Sequence, residues 1–218
     1  MFFSLRIGRT NFLFCKAMTK GQKIYLALKR LIDIGGSLFG ILLLSPLFLF
    51  CFIAGSISFQ GHPVFRQKRL GLHEKPFYLY KFRSMKLGAP LKGAEDFTDE
   101  EKARYTTKWG SFLRRSSIDE MIQLVNILKG DMSFIGPRPM MSKEEEPDLY
   151  NARRAYSPNA FDVKPGLSGY SQIVMKRDPD IYKKAKNDAY YAKHFSLWFD
   201  IKLFILSFFV LFGYNAGK

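Results

Sequence analysis

The sequence predicts an α+β, membrane-associated (monotopic) fold: a re-entrant helix-break-helix membrane hairpin joined to a mainly helical cytosolic domain with a short β-hairpin. Three observations carry this expectation. The run from Ile34 to Phe65 contains no Asp, Glu, Lys or Arg and has basic residues on both flanks. Two β-favouring runs, PVFRQKR and PFYLYKFRSM, surround a glycine-containing turn. After Ser116, the residues Ile118, Met121, Ile122, Val125 and Leu128 recur at helical spacing.

The chain of 218 residues is 47% hydrophobic and 16% aromatic, with a formal net charge of +15. That length suits one main domain with a real core. Such a basic balance draws the chain toward an anion: nucleic acid, an acidic membrane surface or a phosphorylated substrate. Cys15 and Cys51 make no disulfide framework and fit a reducing cytosol. His62, His73 and His194 lack metal-site spacing and read as surface or interface residues.

Residues 1–28 form a basic lead-in without clear period, in which Met18 offers an alternative start. Residues 29–60 form the membrane hairpin. The apolar run exceeds the roughly 20 residues a spanning helix needs, and it starts too far in for a cleaved signal peptide. Ser45-Pro46 stands at its middle, where proline removes a backbone hydrogen bond and costs about 3 kcal/mol in a straight helix. Lys16, Lys20, Lys23, Lys29 and Arg30 precede the run, and Arg66, Lys68, Arg69 and Lys75 follow it. A spanning helix would put one cluster on the wrong side of the membrane. A hairpin broken at Ser45 and Pro46 leaves both clusters at cytosolic headgroups, each residue contributing on the order of 1 kcal/mol beside anionic membrane lipid.

Residues 61–195 form the cytosolic domain, opening with the β-hairpin. Thr98 and Glu101 have capping-box spacing for a short helix, and the acidic run KEEEPD precedes another. VKPGLSGYSQI, with Pro165, Gly166 and Gly169, reads as a loop. Residues 196–218 form a C-terminal helix, apolar for about twelve residues after Lys202. That is too short to span, so the helix lies at the interface or packs on the hairpin or core.

The stretch SSIDEMIQLVNILKGDMSFIGPRP raises the chemical question. Ser116 and Ser117 stand in capping relation to Asp119 and Glu120, and Lys129-Gly130 closes the helix. Two acids in a first helical turn are ordinarily structural, since they complement the positive dipole end. Their neighbours change the reading. Arg138 is fixed between Pro137 and Pro139, Arg114 and Arg115 precede the acids, and YKFRSM supplies Lys81 and Arg83. Arginine suits bidentate phosphate contact. Adjacent helical residues point about 100° apart, so one carboxylate is free to act as a nucleophile while the other holds magnesium.

KRLIDIGGSLFGILLLSPLFL, PVFRQKRLG, YKFRSM, IDEMIQLVNILKGDMSFIGPRP and VKPGLSGYSQ, in this order and spacing, closely resemble the bacterial sugar transferase family, the small monotopic phosphoglycosyl transferases. The resemblance covers roughly Lys29 to Gln172. It implies transfer of a sugar phosphate from a UDP-sugar to polyprenyl (undecaprenyl) phosphate, leaving UMP, as the first membrane step of a surface glycan. It also implies residence at the bacterial inner (cytoplasmic) membrane, with the catalytic domain on the cytosolic face. By motif match, Asp119 attacks the sugar-linked phosphate and Glu120 helps place Mg2+. Lys81, Arg114 and Arg138 contact phosphate or nucleotide, and Ser45 and Pro46 break the re-entrant helix. This chain departs from the family at Met121-Ile122, where Leu-Pro is usual, and at Ser168 and Tyr170, where Thr and Trp are commoner.

Two alternatives stand beside this one: a membrane-anchored basic binding module without chemistry, and a direct glycosyltransferase releasing UDP with the acids as a metal site. No aromatic platform motif for RNA is evident, so nucleic acid is not expected as a partner. Pairing with a second copy, the identity of the sugar and the glycan pathway are left open.

Overall fold

Thr19 and Gln22 form a reciprocal capping box that starts a 39-residue helix, α1 (Lys20–Ser58), in the computed structural model. The model describes residues 18–90, 97–175 and 178–211; residues 1–17 of the basic lead-in, with Lys16 and Cys15, lie outside them. The capping box puts the start of α1 nine residues ahead of the boundary expected at residue 29. The helix continues through Ser45 and Pro46, so the interruption expected there is not a loop. Proline at position 46 frees the carbonyl of Leu42, and the Ser45 hydroxyl donates to that carbonyl at 2.7 Å. By length and composition, α1 is apolar enough to cross a membrane.

One stripe of α1 packs on the rest of the chain on both sides of Pro46. Tyr25, Asp33 and Ser37 are buried before it, Cys51 and Gly55 after it. Phe39, Leu42, Leu43, Leu49, Ile53 and Ile57 are exposed. The Arg30 guanidinium donates to the carbonyls of Ile127 and Leu128, and Asp33 accepts from the Ser133 hydroxyl and the Phe134 amide.

Strands β1 (Val64–Leu70) and β2 (Pro76–Phe82) pair antiparallel, as expected, with Phe65 opposite Lys81. Helix α2 (Asp99–Tyr105) begins at the expected Thr98–Glu101 capping box. Helix α3 (Lys108–Arg115) follows. The single helix expected after Ser117 is instead two short ones, α4 (Ile118–Met121) and α5 (Leu124–Lys129). Ser117 is left-handed, with φ of 56°, and makes no side-chain cap; the Ser116 hydroxyl turns back to the carbonyls of Phe112 and Leu113. Gly130 closes α5 as expected, at φ of 94°.

Strand β3 (Ser133–Ile135) leads into the Gly-Pro-Arg-Pro segment, and α6 (Pro147–Arg154) begins with proline in its first turn. The stretch read as a loop contains β4 (Gly166–Ser168), parallel to β3, and α7 (Tyr170–Met175). Gly136 and Gly166 make this pairing possible, because a Cβ on Gly136 would run into the Lys164 carbonyl and one on Gly166 into the Gly136 amide. Helices α8 (Ile181–His194) and α9 (Leu197–Leu211) complete the described chain. Asp200 joins three elements: it accepts from the hydroxyls of Tyr25 and Tyr191, and from the Lys29 ammonium. The C-terminal helix therefore packs on α1, while Trp198, Phe204 and Phe208 stay exposed.

Candidate active site

The hairpin, α4 and the segment after β3 converge because Asn126 on α5 acts as a strand partner. Its carboxamide oxygen accepts from the Tyr80 amide at 3.0 Å and its nitrogen donates to the Tyr78 carbonyl at 2.7 Å. That brings the side chain of Lys81 in β2 to Glu120 in α4: Nζ lies 2.8 Å from Oε1. The Arg138 Nη2 approaches the same oxygen at 3.3 Å. Main-chain bonds hold the Arg138 segment, from the Gly136 amide to the Ser168 carbonyl and from the Gly166 amide to the Pro137 carbonyl, both at 2.9 Å.

Asp119, Lys81, Arg114 and Arg138 all line one cavity of about 200 Å³, with Phe65, Arg69 and Met141 among the other walls. Four of the five site residues expected in the soluble domain are thus brought together on one space, and Glu120 stands behind them as the anchor of two cations. Ser45 and Pro46 are elsewhere, exposed on α1.

The two adjacent acids are driven apart electrostatically. Burial pushes the Asp119 carboxyl up to about 6, the Glu120 charge adds to the rise, and the Lys81 and Arg114 cations offset it only in part. Burial thus outweighs the cation in setting the direction of the shift, and α4 has only four residues, but a carboxyl at about 6 is still mostly ionised at neutral pH, as expected of a group beside Arg114. Burial also opposes ionisation of Glu120, but the Arg138 and Lys81 cations prevail and hold it well below the usual carboxylate range.

Sequence reasoning missed three contributors. Arg69 was read only as part of a basic flank; it lines the cavity and donates to the Gln67 side chain and the Pro139 carbonyl. Burial and the Arg138 charge lower it to about 10. Asn126, a polar residue within the helical run after Ser116, is fully buried. Arg153 lines the cavity and donates to the Arg138 carbonyl at 3.0 Å. No local pattern marks any of them, because each gains its role from a partner distant in sequence.

A model of the family described as bacterial sugar transferase matches residues 24–214. The chain is 37% identical over 180 residues to an uncharacterized sugar transferase, EpsL, of Bacillus subtilis, covering 83% of this chain and 85% of that one. It is 37% identical over 181 residues to a UDP-N-acetylgalactosamine-undecaprenyl-phosphate N-acetylgalactosaminephosphotransferase of Aeromonas hydrophila, covering 82% of this chain and 42% of that one. It is 36% identical over 187 residues to a UDP-glucose:undecaprenyl-phosphate glucose-1-phosphate transferase of Escherichia coli, covering 84% of this chain and 39% of that one. The chain thus spans under half the length of the two latter relatives. With its motifs, the cavity they surround and these matches taken together, the chain belongs to the bacterial sugar transferase family.

Proposed function

We propose that this chain moves a sugar-1-phosphate from a UDP-sugar to polyprenyl phosphate through a covalent intermediate on Asp119, releasing UMP. The observation that carries the reading is the pairing of a cavity-lining carboxyl raised to about 6 with a neighbour that two cations keep ionised. An Asp119 oxygen attacks the sugar-linked phosphorus, and the bond to the UMP oxygen breaks. The polyprenyl phosphate oxygen then attacks the same phosphorus and breaks the bond to Asp119, which restores the carboxylate and leaves a polyprenyl diphospho-sugar. Covalent catalysis by a carboxylate in this way splits one difficult transfer into two easier steps. Relatives named for UDP-sugars and undecaprenyl phosphate support these substrates.

The cations set the geometry of attack. Lys81 and Arg138 share one Glu120 oxygen and both line the cavity that Asp119 lines, where a diphosphate would sit. Among the described residues no three His, Cys, Asp or Glu side chains come together. Magnesium is commonly held by one or two carboxylates plus substrate phosphates, and Glu Oε2 at position 120 makes no bond among the described residues. That donor set fits Mg2+, which when bound would offset charge on the diphosphate.

Membrane placement follows the same reasoning. Both ends of α1 touch one domain, where Gln22 donates to the Lys193 carbonyl and where Cys51 packs with Phe82. A helix crossing a hydrocarbon core roughly 30 Å thick would carry one end away from it. This supports a monotopic, re-entrant seat on the cytosolic face of the bacterial inner membrane, with exposed apolar residues of α1 and α9 in the lipid.

The test is release of nucleotide by the full chain in nanodiscs with magnesium, polyprenyl phosphate and a panel of UDP-sugars, beside Asp119→Asn. UMP from the wild type alone supports the reading. UDP would point to direct glycosyl transfer, and no nucleotide from a folded sample would favour a binding module.

A further inference from the structure

Arg153 is 2% exposed and its charge is balanced inside the protein. Its Nε and Nη2 donate to Oδ2 of buried Asp188 at 3.0 and 2.6 Å, while the Ser171 hydroxyl donates to the other oxygen at 2.6 Å. Nη2 also holds the Arg138 carbonyl. Nη1 makes no hydrogen bond among the described residues, and since Arg153 lines the cavity, the little of it that stays exposed faces that space. Nη1 is not one of the side-chain atoms buried without a partner, so it is the corner of this guanidinium that can reach an acceptor in the cavity.

The surroundings select the acceptor. Met140, Met141 and Leu149 are apolar walls of the cavity that Arg153 lines, and Glu146 and Lys184 line it with opposite charges. Asp188 has already neutralised Arg153. A second anion would meet little net attraction there, in contrast to the cations around Asp119. A neutral carbonyl against apolar walls satisfies the free N–H groups without bringing charge.

We propose that Arg153 is a substrate-recognition residue whose Nη1 donates to a neutral carbonyl oxygen of the donor, as presented by the pyrimidine ring or by an N-acyl group on the sugar. This rests on the reading that the cavity takes a UDP-sugar. Arg153 thereby couples recognition to the reacting end, because the same side chain holds the main chain of Arg138, which reaches Glu120.

Arg153→Lys keeps a cation for Asp188 and removes Nη1. Affinities of wild type and variant for UMP, UDP, UDP-glucose and UDP-N-acetylglucosamine, measured on the full chain in nanodiscs, decide the matter. Loss of about tenfold for all four ligands, together with weaker binding of 2-thio- or 4-thio-UDP to wild type, assigns the contact to the pyrimidine; the same loss without a thio effect reflects a displaced Arg138 and overturns the proposal, and loss confined to the N-acyl sugar assigns the contact to that group. Equal affinities in a variant with an unchanged melting curve overturn the proposal. Wild type that binds none of the four defeats instead the reading on which it rests. Ser171→Ala loosens Asp188 without touching Nη1, so it should lower the melting temperature and leave ligand ranking intact; the same ligand-selective loss there would make Arg153 a mere strut and overturn the proposal. If Arg153→Lys does not fold, wild type is titrated with 2-thio- and 4-thio-UDP and with the N-thioacetyl sugar. Weaker binding of one supports the contact, and affinities matching the oxygen parents refute it.

Discussion

The Lys81 ammonium lies 2.8 Å from Oε1 of Glu120, the oxygen that also receives Arg138. Burial lowers the affinity of Lys81 for its proton while Glu120 opposes that, so each charge depends on the other. Removing one leaves the other desolvated. Lys81→Met is expected to cut turnover by about 10²-fold, the scale for loss of one preorganised charge, while Lys81→Arg retains much of it. UMP release at saturating donor checks this, and unchanged turnover in Lys81→Met would separate Glu120 from the chemistry.

In the proposed mechanism Asp119 must be ionised to attack. With its carboxyl at about 6, kcat/KM should fall as pH drops through that value and level off above it. A pH–rate profile under the proposed assay tests this directly. An acid limb near pH 4, the ordinary carboxylate value of about 3.9, would show that burial does not govern the nucleophile.

The same shift predicts a stability gain at the expense of function. A raised native pKa means the native state holds the proton more tightly than the unfolded one. The contribution of Asp119 is therefore fully present below about pH 4 and is lost as pH rises through about 6. Above that, the buried carboxylate costs on the order of 2–3 kcal/mol. Asp119→Asn should raise the melting temperature by several degrees at neutral pH, with the difference closing toward about pH 4. Calorimetry at both pH values decides it, and destabilisation at neutral pH would contradict it.

Asn126 supplies two hydrogen bonds that the hairpin edge would otherwise lack. Asn126→Ala leaves the Tyr80 amide and Tyr78 carbonyl without those partners and is expected to cost about 2–4 kcal/mol. Activity should fall with it, since β2 positions Lys81. Denaturant unfolding measures the first effect; a loss below about 0.5 kcal/mol would mean that water replaces the carboxamide.

Topology is tested by thiol labelling in a background with Cys15 and Cys51 replaced by serine. Engineered cysteines at Ser4 and Gln67 should label from the same side of the membrane. Labels on opposite sides would make α1 a spanning helix and remove the re-entrant reading.

Features whose physics is local were legible in the residues alone. Charge-free length marked α1, β-favouring runs around a glycine turn marked the hairpin, Gly130 marked a helix end, and the Asp119–Glu120 pair with Arg138 between prolines marked the candidate site. Contacts between distant segments decided the rest. Whether Asp119 is ionised depends on burial under elements far away in sequence, and whether Ser117 caps depends on the turn that packing imposes on it. Arg153 is one arginine among many until α8 brings Asp188 to it, and Asn126 is an ordinary polar residue until β2 arrives alongside. Periodicity and capping act over a few residues, whereas desolvation and the pairing of buried polar groups depend on what the folded chain brings near.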